Sequence, residues 1–233
     1  KIIEDASHAI GGSFKGSKVG SCKFSDVTVF SFHPVKIITS GEGGMALTND
    51  KEIADKMYLH RSHGITRDQS KMKNISDGPW YYEEIDLGFN YRMTDISAAL
   101  GNNQLKRVDE FISKRHTIAK SYDVSLKKLP LITPFQSADS FSSYHLYVIR
   151  IDESRTNTTH KDFFEYLRNE EILVNLHYIP VYRHPYYREN GFEGFFLENA
   201  EIYYKTALSI PMYSSLNDSD QNRVIETIEK GLS

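Results

Sequence analysis

Apolar positions in the first fifty residues come in short bursts separated by glycine and serine. Residues 1–4 read as a short strand, and 27–32 (Val-Thr-Val-Phe-Ser-Phe) as the β-branched and aromatic run of a buried one. Residues 44–48 make a third strand, ending at Asn49-Asp50, a turn or N-cap for a helix over about 51–62. This strand-loop-helix alternation predicts an α/β architecture. Residues 65–84 are polar, rich in Lys, Ser and Asp, and read as a mobile surface loop. From Thr94 or Asp95, either a plausible N-cap, a helical pattern runs to about residue 128. Ile96, Leu100, Val108, Phe111, Ile112, Ile118 and Tyr122 fall mostly at three- and four-residue steps, which predicts a helix pair or a spine. Beyond Pro130 and Pro134 the pattern gives a strand over 144–151, a capped helix over 159–169, a strand over 172–176 and a last helix over about 219–230. A second, α+β domain is expected to begin near residue 120.

Composition narrows the functional classes. Hydrophobic residues are 39% and charged residues 25% of the 233, ordinary for a globular protein. A net charge of -3 argues against nucleic-acid or membrane-surface partners, which need a basic field. No apolar run approaches the roughly 18 residues of a membrane span. The single cysteine, Cys22, allows no internal disulfide and suits a cytoplasmic setting. The chain opens inside Lys1-Ile2-Ile3-Glu4-Asp5, without Met or signal-peptide pattern, so the expectation is a piece of a longer polypeptide.

The candidate chemistry sits early. Asp5 ends the first strand, where ligand sites of α/β sheets usually lie, and His8 follows within a turn. Ser31 ends the second strand, five residues before Lys36, and Thr39-Ser40-Gly41-Glu42-Gly43-Gly44 follows the lysine as a segment that lets backbone approach a ligand. Taken singly, each has a commoner role: surface charge, helix cap, structural hydrogen-bonder, turn. In this order they match the needs of pyridoxal 5'-phosphate (PLP): a lysine for the aldehyde, a carboxylate for the pyridinium nitrogen, a donor near the ring hydroxyl, and small polar groups for the phosphate. No metal set is read.

Glu4-Asp5-Ala6-Ser7-His8-Ala9-Ile10-Gly11, Ser31-Phe32-His33-Pro34-Val35-Lys36 and the glycine segment resemble the nucleotide-sugar aminotransferases of the DegT/DnrJ/EryC1/StrS group. Leu87-Gly88-Phe89-Asn90-Tyr91-Arg92-Met93-Thr94-Asp95-Ile96, Tyr144-His145-Leu146-Tyr147, His177-Tyr178-Ile179-Pro180 and Pro185-Tyr186-Tyr187 extend the likeness over essentially the whole chain. The resemblance implies a PLP-dependent fold type I, like aspartate aminotransferase. Residues 1–119 would be the C-terminal part of the large PLP-binding α/β domain, and 120–233 a small α+β domain. It implies Lys36 as the Schiff-base lysine and proton shuttle between substrate carbon and cofactor C4′. Asp5 would lie on the pyridinium nitrogen, His8 on the ring hydroxyl and Ser31 on the phosphate. It places Asn90 and Arg92 in a segment reaching across a homodimer with a shared active site, and puts His177, Tyr178 and Arg92 near the sugar nucleotide. Within the group, the lysine and His-Tyr-Ile-Pro motifs are most similar to the pseudaminic-acid branch. That branch aminates C4 of a UDP-linked 4-keto-6-deoxy-N-acetylhexosamine with L-glutamate as donor.

Other readings stand beside this one. His177 among its aromatic neighbours also reads as a packing residue, and Arg92 before a helix as a cap or surface bridge. The aromatic cluster Tyr178, Tyr182, Tyr186 and Tyr187 also reads as core or interface. A sugar dehydratase of the same fold would carry His at the lysine position, and residue 36 is Lys. A catalytically incomplete fragment is the third alternative, since an N-terminal part would add sheet strands, phosphate-binding amides and a stacking aromatic.

Overall fold

In the computed structural model, which describes residues 1–232, the run of branched and aromatic residues forms the central strand of the first sheet. Strand β1 (Ile3–Asp5) pairs in parallel with β2 (Val27–Ser31), Asp5 standing opposite Val29. Strand β3 (Gly44–Leu47) pairs antiparallel on the other side, Gly44 opposite Ser31. Val27, Thr28 and Phe30 are buried, and the Thr28 hydroxyl donates to the Glu4 carboxylate at 2.8 Å. Helix α1 (Lys51–Arg61) starts where the Asp50 carboxylate accepts the Glu52 and Ile53 amides, as its cap position predicts.

The polar stretch expected as a mobile loop is tied across itself. Ile65–Thr66 pairs with Glu83–Glu84, and the buried Glu83 carboxylate accepts the Asn74 amide, the Asn74 side chain and the Tyr81 hydroxyl at 2.8–3.0 Å. Most of these groups lie inside the stretch, so hydrophobic periodicity gave no sign of the order. The long helical pattern resolves into a pair. Helix α2 (Asp95–Leu105) is capped by Thr94, and α3 (Val108–Ser125) follows after a two-residue break. Helix α2 buries no residue, whereas α3 buries Phe111, Ile112, Arg115, Ile118, Ala119 and Tyr122 along one stripe.

The chain divides into two compact units. The first comprises Lys1–Asp109 with Asp139–Phe141, and the second Glu110–Ala138 with the chain from Ser142 on. The division falls at 109/110 rather than at 119/120. The buried stripe of α3 begins at Phe111, and its Ile118, Ala119 and Tyr122 belong to the second unit's hydrophobic core. Ser140–Phe141 belongs with the first unit because it pairs antiparallel with Ser13–Phe14.

In the second unit, β4 (Leu131–Ile132), β5 (Tyr147–Ile151) and β6 (Ala207–Ile210) form an antiparallel sheet in the order β6-β5-β4. Helices α4 (His160–Asn169), α5 (Glu198–Thr206) and α6 (Asp218–Gly231) complete it, α4 and α6 capped by Thr159 and Asn217. Tyr122, Tyr147, Ile149, Phe163, Leu167, Leu208 and Ile228 are sealed from solvent. Strand β5 starts at Tyr147, three residues later than expected, because Tyr144 takes a φ of 47° that no strand accommodates. The strand expected over 172–176 reduces to a single bridge, Asn175 with Ser209. Helix α5 and strand β6 carry no clear pattern in the sequence. Among the described residues, no helix is long and apolar enough to cross a membrane.

Candidate functional site

Parallel pairing sets the carboxyl ends of β1 and β2 side by side, where Asp5 and Ser31 are the last residues. The Ala6 amide donates to the Val29 carbonyl at 2.9 Å, so β1 is pinned up to the residue after Asp5. The chain then turns, with the Ala9 amide on the Ala6 carbonyl, carrying Ser7 and His8 past the strand end. Ser7 bonds Asp5 twice: its amide at 3.0 Å and its hydroxyl at 2.6 Å both donate to Oδ1. These bonds hold the Asp5 carboxyl below the usual carboxylate range, with further help from the positive fields of His8 and Lys36 and against partial burial.

After β2 the chain closes a loop on itself. The Phe32 carbonyl accepts the Ser40 amide and the Thr39 hydroxyl, both at 3.0 Å, and the Phe32 amide donates to the Gly43 carbonyl at 2.8 Å. Within it the Lys36 amide donates to the His33 carbonyl at 2.9 Å. Ile37 and Ile38 are buried directly behind the lysine, fixing its backbone from the C-terminal side. Lys36 is half-buried; burial lowers its pKa below the ordinary lysine value, while the Asp5 carboxylate pulls the other way. Ser31 accepts the His33 amide at 3.4 Å, a long contact that leaves its hydroxyl proton available.

Asp5, His8, Ser31 and Lys36 are thus gathered at one end of the β1–β2 pair. An ionised carboxylate, an imidazole, a hydroxyl and a partly desolvated amine around a parallel-strand end suit an aromatic cofactor with a ring nitrogen, a ring hydroxyl, a phosphate and an aldehyde. The residues therefore fit PLP. Of the glycines behind the lysine, Gly41 faces open space at a φ of 82°, whereas Gly43 is closely packed. A Cβ on Gly43 would lie 2.5 Å from both the Met93 methyl and the Ser40 hydroxyl, so this glycine allows the loop its close approach to Met93.

Asn90 and Arg92 sit on a strap, residues 86–92, laced to the end of α1. The His63 amide donates to the Phe89 carbonyl, the Phe89 amide to the His60 carbonyl and the Tyr91 amide to the Arg61 carbonyl, and Asn90 bridges to Ser62. Gly88 is required there: a Cβ would stand 2.2 Å from the Gly64 nitrogen. Asn90 faces solvent, and Arg92 lines a cleft of about 810 Å³ between α1 and residues 65–71. In the second unit, the His177 ring meets the Ser209 hydroxyl at 2.8 Å and the exposed Tyr178 ring edge-on at 4.7 Å. Sequence reasoning overlooked Ser7 and Thr39. The Asp-x-Ser spacing at 5–7, a side-chain turn signal, was the available cue for the first.

The model of the DegT/DnrJ/EryC1/StrS aminotransferase family matches residues 1–229. A UDP-4-amino-4,6-dideoxy-N-acetyl-beta-L-altrosamine transaminase from Campylobacter jejuni is 40% identical, over 97% of this chain and 57% of that protein. The structure of Helicobacter pylori PseC, an aminotransferase of pseudaminic-acid biosynthesis, superimposes with a TM-score of 0.88 at 32% identity, over 99% of this chain and 59% of that one. Spr1654 of Streptococcus pneumoniae, described as a sugar aminotransferase and solved in its PLP form, gives 0.85 at 28% identity, over 99% and 58%. The chain thus spans somewhat under three fifths of the relatives it matches. With a matching family model along nearly its whole length and the same fold in these structures, the chain belongs to the DegT/DnrJ/EryC1/StrS aminotransferase family.

Proposed function

We propose that the protein is a PLP-dependent aminotransferase that aminates a nucleotide-linked 4-keto-6-deoxy sugar, UDP-4-keto-6-deoxy-N-acetylhexosamine, with L-glutamate as donor. The observation that carries the reading is the partly desolvated amine of Lys36 beside the ionised Asp5 at the carboxyl end of two parallel strands. The altrosamine transaminase and PseC likenesses support this sugar class.

When bound, PLP supplies an electron sink for the carbon that loses its proton. In this reading Lys36 holds the aldehyde at rest and, once displaced, carries a proton between the substrate carbon and cofactor C4′. Burial favours that second task, because a lowered amine pKa leaves more neutral base near pH 7–8. Asp5 keeps the ring nitrogen protonated, His8 bonds the ring hydroxyl and Ser31 the phosphate. His177, Tyr178 and Arg92 contact the sugar nucleotide. Asn90 serves the phosphate of a second copy in a homodimer. Leu87, Phe89, Tyr91 and Ile96, all large and exposed around Asn90, support a protein partner for that strap. A cytoplasmic location accords with the free Cys22.

The test uses the protein as its gene encodes it, with PLP, glutamate and a panel of UDP- and dTDP-4-keto-sugars. A visible absorbance band lost in Lys36→Ala, and sustained 2-oxoglutarate release beyond the cofactor's own equivalent only with the UDP sugar, are expected. A band that survives Lys36→Ala sinks the cofactor assignment, and preferential use of another sugar sinks the substrate assignment.

A further inference from the structure

The pair Asp-x-Ser occurs with the same bonding at three places. Ser7 donates to Asp5 through its amide and hydroxyl at 3.0 and 2.6 Å, Ser70 to Asp68 at 3.0 and 2.7 Å, and Ser154 to Asp152 at 3.2 and 2.6 Å. Such turns form wherever the spacing occurs, because the serine donors reach the aspartate two residues back. The surroundings separate the three. Asp68 and Asp152 lie in connecting segments, whereas Asp5 is the last residue of a parallel strand, with His8 and Lys36 acting on its carboxylate.

We infer that Ser7 is a positioning residue: by taking Oδ1 of Asp5 with two donors, it keeps the carboxylate from swinging onto Lys36 and reserves Oδ2 for the cofactor's ring nitrogen. The inference rests on the functional reading above. Both bonds fall on one oxygen, and two donors from a rigid turn fix the rotation about the Cβ–Cγ bond. An Asp5 free to rotate could turn its charge further toward the Lys36 amine, on which it already acts, and hold it protonated, which opposes its work as a base. With the hydroxyl in place, the carboxylate is satisfied on one side before any ligand arrives.

The experiment compares Ser7→Ala, Ser7→Thr and the unsubstituted protein as its gene encodes it. In the cofactor-free protein, the Asp5 carboxyl is titrated by carbon NMR; in the loaded protein, kcat and KM are measured. Ser7→Ala is expected to move the Asp5 titration upward by about one pH unit and to lower kcat about tenfold with KM little changed, the effect of one hydrogen bond to a charged group. Ser7→Thr, which keeps the hydroxyl, is expected to restore both. An Asp5 titration unmoved in Ser7→Ala, or a Ser7→Thr variant as impaired as Ser7→Ala, overturns the inference. Failure of the cofactor reading shows separately, as an unsubstituted protein with no visible band that depends on Lys36.

Discussion

The two units differ in how they are held together. In the second, α3, α4 and α6 lay apolar stripes into a core with the antiparallel sheet, and Tyr122, Tyr147, Phe163 and Leu167 lose essentially all contact with water. Two of its buried polar side chains reach carbonyls inside the same unit. One nitrogen of the Arg115 guanidinium donates to the carbonyls of Tyr144, His145 and Met212, and the Gln221 amide donates to that of Ile118. In the first unit neither α1 nor α2 buries a single residue, and Ile3, Leu87 and Ile96 are 71, 80 and 85% exposed. What is packed there is β2 with the buried residues around it: Ala6, Phe30, Phe32, Ile37 and Ile38. The proposed chemistry thus sits in the unit with the thinner core, and its rigidity is concentrated where Asp5 and Lys36 are held.

The contrast is sharpest in large-to-small substitutions. Phe163→Ala in the second core should cost about 3–5 kcal/mol of unfolding free energy in denaturant titrations. An unchanged midpoint would mean that the second core is not what stabilises the unit.

A smaller effect separates the units by pH. The nearly buried Glu201 carboxylate accepts the Tyr182 hydroxyl at 2.8 Å and pairs with the Arg183 guanidinium, which holds its pKa below the ordinary 4.5. A depressed carboxylate stabilises the fold above its unfolded pKa, and the contribution fades as pH falls through the folded value. Stability of the second unit should therefore decline on acidification below about pH 4.5 in the unsubstituted protein and decline less in Glu201→Gln. Equal declines would remove this pair from the account. The smallest expected effect belongs to the first unit. Ile96→Ser should leave the stability of the isolated chain within about 0.5 kcal/mol, since a side chain 85% exposed has little burial to lose. A loss as large as that of Phe163→Ala would erase the difference between the units.

Features set by local chemistry were legible in the sequence. Asp50, Thr94 and Thr159 announced their helices because a cap needs only its own first turn, and residues 27–32 announced a buried strand through their branched side chains. Asp5, His8, Ser31 and Lys36 were legible as a set because each lies at or just past the end of one of two strands that turn out to be neighbours. Features that depend on distant partners were not. Residues 172–176 look like a strand but meet β6 only at Asn175, leaving Leu173 exposed, while Ala207–Ile210 becomes a strand only because β5 is there to receive it. Arg115 gave no sign of being buried, since the carbonyls it serves come from segments far along the chain.

The central claim is that Lys36, among the lysines of the chain, is the one that holds PLP. Incubating the protein as its gene encodes it with PLP, reducing with borohydride and mapping the fixed label by peptide mass spectrometry tests this directly. The account predicts the label on Lys36, with Asp5→Ala weakening its retention. A label spread over surface lysines, or missing from the peptide that contains Lys36, would contradict it.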